Sequence, residues 1–78
     1  MKKIQILGTG CPKCNQLTQN TEQALRETGI AAEIEKVTDI TKIMSFGVMM
    51  TPGLAVDGNV KSSGKLLTVD EIKKIIEE

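Results

Sequence analysis

The stretch KKIQILGTGCPKCNQL, residues 2–17, contains a short apolar run, two glycines and both cysteines of the chain. Ile4, Ile6 and Leu7 followed by Gly8 and Gly10 read as a buried strand entering a tight loop. Its only charges are Lys2 and Lys3, which suits a central strand. From Cys11 to Thr28 the period changes. Leu17, Thr21, Ala24, Leu25 and Thr28 recur at helical steps, while Gln16, Asn20, Gln23 and Glu27 fall on the other face. Pro12 stands at the first helical position, where its missing N–H has no intrahelical acceptor to lose, and Gly29 supplies the stop.

Working outward, Ile30, Ala32 and Ile34 alternate with Ala31, Glu33 and Glu35, a period of two that predicts a second strand. Thr38 or Asp39 can cap a short helix carrying Ile40, Ile43 and Met44 and ending near Gly47. Pro52-Gly53 breaks the chain, Leu54–Val56 is a strand, Asp57-Gly58-Asn59 is a hairpin signal, and Val60–Ser62 returns as an edge strand protected by Lys61. Thr68 and Glu71 have the spacing of a capping box ahead of a helix whose apolar face is Val69, Ile72, Ile75 and Ile76. Asp70, Glu71, Lys73, Lys74, Glu77 and Glu78 read as its solvated face. The order is βαβαββα. It implies an α/β fold with a mixed four-stranded sheet flanked by three helices, and residues 1–78 form a single domain.

Composition narrows the function. A 78-residue chain has a thin core. With Phe46 as the only aromatic residue, that core must come from Ile, Leu, Val, Ala and Met. Ten basic and ten acidic residues give zero net charge. With no charge block and no stacking aromatics, nothing points to nucleic acid or an anionic membrane. The apolar run after Lys2 and Lys3 is shorter than the roughly 7–15 residues of a secretory h-region. The expectation is a cytoplasmic monomer. In that compartment a close cysteine pair is more often redox-active or metal-binding than structural.

The chemistry follows from placement. Cys11 is the expected N-cap and Cys14 lies one turn in, so the sulfurs can approach. Unpaired first-turn N–H groups and the helix dipole favour a thiolate at Cys11. Cys11 is then the nucleophile, and Cys14, nearer the packed face, resolves the mixed disulfide. Lys13 adds a solvated positive charge beside them. Two other uses of the pair stay open at this level. The cysteines can be inert packing residues, or two thiolates can hold a soft metal ion for delivery. A closed structural zinc site needs four ligands, and the chain has two cysteines and no histidine. Met44, Met49 and Met50 read as core filler or as a flexible contact surface, with Met49 and Met50 a candidate rim for partner proteins.

With Cys11-Pro12-Lys13-Cys14 between strand and helix, Thr51-Pro52 entering the third strand, and the Val56-Asp57-Gly58-Asn59 hairpin, the chain resembles small prokaryotic thioredoxin/glutaredoxin-like redox-active disulfide proteins over nearly its whole length. The resemblance implies a minimal thioredoxin-like fold and a thiol–disulfide oxidoreductase acting on protein disulfides. It implies re-reduction by a thioredoxin-reductase-type donor, without bound organic cofactor or metal. Cys11 and Cys14 resemble the nucleophile and the resolving cysteine, with Pro12 and Lys13 between them. Pro52 resembles the cis-proline that faces the dithiol, leaving the backbone of Thr51 free to pair with substrate. The chain departs from the pattern in three places. Gly10 stands where thioredoxin has Trp. Gln5 stands where thioredoxin has a buried Asp, so activation of Cys14 falls to water, to Cys11 or to another group. Of the glutathione-recognition segments of glutaredoxins, Thr51-Pro52 and a lone Gly64 remain. Heavy-metal transport domains share a similar opening but end in a strand, whereas this chain ends in a capped helix.

Overall fold

The computed structural model describes residues 2–77. Its elements are β1 (Lys2–Leu7), α1 (Pro12–Thr28), β2 (Ala32–Val37), α2 (Ile40–Ser45), β3 (Gly53–Val56), β4 (Asn59–Ser63) and α3 (Val69–Ile76). The strands form one sheet in the order β2-β1-β3-β4. β1 and β2 run parallel, with Ile4 opposite Ile34, as a strand–helix–strand crossover requires. β3 is antiparallel to both β1 and β4. β1 is therefore central, beside β3, and the mixed sheet is the one that the element order implies.

Strand alternation divides the core in two. Ile4, Ile6, Leu54 and Val56 face α1 and α3, where they pack with Leu17, Ala24, Leu67, Ile72 and Ile76. Leu7, Val37 and Ala55 point the other way and meet Ile43, Val48 and Phe46 from α2 and the loop after it. Burying one such side chain fully contributes about 1.5–3 kcal/mol. Asn20 Nδ2 donates to the Leu67 carbonyl at 2.9 Å and Lys73 pairs with Glu27 at 3.1 Å, so α1 is tied to α3 and to the loop before it. The buried hydroxyls of Thr18 and Thr21 donate back to the carbonyls of Cys14 and Leu17, so neither is left unsatisfied.

Two elements differ from the sequence expectation. β2 begins at Ala32 rather than Ile30 and runs on to Val37. Gly29 caps α1 in the left-handed region at φ 68°, and Ile30 packs against the core before the ladder starts. On α2 only Ile43 is buried, while Ile40 and Met44 are exposed. A six-residue helix covers one end of the sheet face, and one inward side chain suffices for that. The remainder of the face is polar and carries an exposed Lys3–Glu35 pair at 3.5 Å, which is worth little.

The turns follow their residue chemistry. Asp57 and Gly58 both have positive φ, as a two-residue hairpin turn of the primed type demands. β4 is shifted by an irregularity at Lys61, between the Leu54–Ser62 and Ala55–Val60 pairs, a device that protects an edge. Thr68 and Glu71 form the complete capping box of α3.

Candidate active site

The end of β1 determines where the cysteines sit. The Gly8 N–H donates to the Val37 carbonyl at 3.0 Å, continuing the ladder one residue beyond the strand. The chain then turns at Gly10, whose φ of 98° suits glycine. Cys11 follows with extended backbone as the N-cap of α1, and its Sγ accepts the Cys14 N–H at 3.1 Å. Pro12 occupies the first turn without an N–H to satisfy. Cys11 and Cys14 are joined as a disulfide with their Cα atoms 5.0 Å apart.

The two sulfurs have different surroundings. Cys14 is 4% exposed and Cys11 is only half-buried. Pro12 and Lys13 are exposed. The first turn of α1 contains no acidic residue, so Lys13 and the helix dipole leave the environment of Cys11 positive. Behind Cys14 lies a cavity of about 30 Å³, lined in part by Gly8, Thr18, Lys36 and Thr38. It is large enough for one water molecule.

The second side of the site comes from the loop before β3. Gly53 pairs with Leu7, which brings Thr51-Pro52 to the same sheet end as the Gly8–Gly10 loop. The Thr51–Pro52 peptide bond is cis. Pro52 is fully buried and its carbonyl accepts the Gly64 N–H at 2.9 Å, while Thr51 is exposed. The structure thus gathers Cys11, Cys14, Thr51 and Pro52 at one edge. Gln5 does not join them. Its Oε1 accepts the Gly58 N–H at 3.1 Å in the hairpin at the opposite end of the sheet.

Beside the dithiol runs an apolar groove of about 350 Å³ between Thr9 and Thr51, walled by Ile40, Met44, Val48 and Met49. Met49 is 95% exposed. Of the expected rim residues Met49 and Met50, Met49 lines the groove and Met50 does not, while Met44 reaches it from α2. Ile40 is not legible there from the sequence, because helical periodicity assigns it to the core. Gly8 and Lys36 also escape a sequence reading, since neither belongs to a motif and only packing brings them to Cys14.

A family model described as a thioredoxin domain matches residues 2–77. The chain belongs to the thioredoxin family. A thioredoxin of Methanothermobacter thermautotrophicus is 47% identical over 76 residues, covering 97% of this chain and 99% of that protein. A thioredoxin of Methanocaldococcus jannaschii is 50% identical over 74 residues, covering 95% of this chain and 85% of that protein. Family membership and the close cysteine pair together identify a thiol–disulfide oxidoreductase with a thioredoxin-like α/β fold. Among the described residues, no helix is long and apolar enough to cross a membrane. Among them, too, no group of three or more His, Cys, Asp or Glu side chains is placed to hold a metal ion.

Proposed function

We propose that this thioredoxin-family chain reduces disulfide bonds in target proteins, with Cys11 as nucleophile and Cys14 as resolving thiol. The observation that carries the reading is the asymmetry of the pair. Cys11 is accessible and its sulfur takes a first-turn N–H, whereas Cys14 is buried one turn behind it. The Cys11 thiolate attacks one sulfur of the target disulfide. That S–S bond breaks, a Cys11–target mixed disulfide forms, and the departing target sulfur takes up a proton. Cys14 then loses its proton, and its sulfur attacks Cys11 Sγ and expels the second target thiolate, which is protonated in turn. Two electrons have passed to the target, which has taken one proton from solvent and the equivalent of the Cys14 proton, and the protein holds the Cys11–Cys14 disulfide. A thioredoxin-reductase-type donor returns the dithiol state, with no bound organic cofactor on this chain.

The remaining parts have supporting roles. Pro12 fixes the start of α1, and Lys13 contributes positive potential. Thr51, exposed beside the buried Pro52, offers its backbone to an extended target segment. The groove beside Thr9 and Thr51 accepts an apolar side chain of the target. The water-sized cavity behind Cys14 offers a path for its proton, the task for which Gln5 is chemically unsuited and too distant. The protein works as a one-domain cytoplasmic monomer.

Equilibration against glutathione or dithiothreitol buffers, coupled to turnover with a thioredoxin reductase, tests the proposal. A reversible two-electron couple between about −270 and −200 mV is expected. Cys11→Ser abolishes exchange, and Cys14→Ser accumulates mixed disulfides with targets. Tight stoichiometric binding of a soft metal, with no turnover by any reductase, overturns the reading.

A further inference from the structure

We propose that Gly8 is the positioning residue for Cys14, and that its missing side chain sets the balance between the disulfide and dithiol states. The inference rests on the exchange role of the cysteine pair proposed above.

Gly8 is a glycine for reasons different from most others in the chain. Gly10, Gly29, Gly47, Gly58 and Gly64 have positive φ, a backbone requirement. Gly8 has none, and its N–H extends the sheet ladder to Val37. Any residue can adopt that backbone. What excludes a side chain is the resolving cysteine. A Cβ built on Gly8 collides with Cys14 Sγ and lies 3.0 Å from Cys14 Cβ. Chain neighbours aside, no other described atom lies within 4 Å of that Cβ. The space denied to residue 8 is therefore occupied by Cys14 alone.

Cys14 cannot yield that space while oxidised. Its N–H is held by Cys11 Sγ, its carbonyl accepts Thr18 Oγ1 at 3.1 Å, and its sulfur is bonded to Cys11. Cys14 is 4% exposed, and the space beside it is limited to the cavity of about 30 Å³ that it shares with Gly8 and Thr18. Once the S–S bond is broken, the Cys14 sulfur can turn to another staggered rotamer. A methyl group at position 8 therefore penalises the disulfide state more than the dithiol state. It makes the protein a stronger oxidant without touching either thiol's chemistry.

The test is Gly8→Ala, with the oxidised and reduced forms measured separately. The equilibrium constant against a dithiothreitol buffer shifts at least fivefold toward the dithiol, which for a two-electron couple raises the potential by about 21 mV. Thermal melting of the oxidised form falls further than that of the reduced form. A smaller shift, a shift toward the disulfide, or equal destabilisation of both forms overturns the inference. Should Gly8→Ala fail to fold, the same change in a Cys14→Ala background decides. Folding is restored if the sulfur is the obstacle, and continued failure assigns Gly8 a general structural role. Because disulfide equilibrium and melting need no target or reductase, they remain readable if protein-disulfide turnover proves absent.

Discussion

Cys11 Sγ accepts the backbone N–H of Cys14 at 3.1 Å, so the accessible cysteine caps the helix that carries its partner. In the reduced protein the same N–H and the positive end of a 17-residue helix would favour the thiolate form of Cys11. Cys14 is buried and lacks this solvation. Iodoacetamide at neutral pH is therefore expected to alkylate Cys11 about tenfold or more faster than Cys14, since the thiolate is the reactive species. Mass mapping of the alkylated peptides measures the ratio. Equal rates would remove the asymmetry on which the nucleophile assignment rests.

The same contact separates capping from catalysis. Serine is a strong N-cap and alanine a poor one. Under reducing conditions Cys11→Ser is expected to keep its stability while losing all exchange. Cys11→Ala loses the exchange and also about 0.5–2 kcal/mol of stability. Urea unfolding in dithiothreitol reads the difference. If the two variants prove equally stable, the sulfur is not acting as a cap.

Gln5 occupies the position at which the sequence comparison placed a missing proton acceptor, yet its side chain is bonded to the Gly58 N–H in the far hairpin. Strand alternation puts it on the same face as Leu7, whereas Cys14 shares its cavity with Ile6. Restoring a carboxylate with Gln5→Asp is therefore expected to leave the pH profile of Cys14 resolution unchanged. Single-turnover release from a preformed mixed disulfide, followed across pH, is the measurement. A marked acceleration would show that residue 5 reaches the dithiol.

The groove beside Thr51 should matter to proteins and not to small disulfides. Met49 is 95% exposed, so Met49→Asp leaves folding intact. Loss of one apolar anchor worth on the order of 1 kcal/mol corresponds to about a fivefold rise in KM for a protein disulfide. The rate with a small aromatic disulfide stays unchanged. Equal effects on both substrates would place Met49 in the chemistry rather than in target docking.

Much of this arrangement is legible in the sequence because local rules and packing agree. Pro12 at the start of α1, Gly29 at its end, Asp57-Gly58 in the hairpin and the Thr68–Glu71 box each set a boundary through backbone chemistry, and each is found in place. The misreadings arise where tertiary packing decides. Ile40 and Met44 have helical spacing with Ile43, but only Ile43 meets the sheet. The charges at Glu33, Glu35 and Lys36 obscure the continuation of β2 to Val37, which faces the opposite side from Ile34. The close approach of Gly8 to Cys14 joins two residues with no sequence relation that would flag it.

Stability of the C-terminal helix should carry an acid signature. Hydrogen bonding from Lys65, then the Thr68 N–H of the capping box, holds the Glu71 carboxyl at about 2, below its ordinary value of 4.5. A depressed folded-state value stabilises the fold above the unfolded value, and the contribution is lost as pH falls from about 5 toward 2. Glu27 is lowered too, by Gln23 and then Lys73, so the whole protein weakens over an overlapping acid range. Glu71→Gln isolates the first contribution, because glutamine can still accept the Thr68 N–H but carries no charge. Wild type is expected to exceed Glu71→Gln in urea midpoint at pH 7 and to converge with it near pH 2. Added salt should narrow the gap at pH 7, since both Lys65 and Glu71 are solvent-accessible. A gap that persisted unchanged down to pH 2 would mean that the carboxylate's charge plays no part in holding α3.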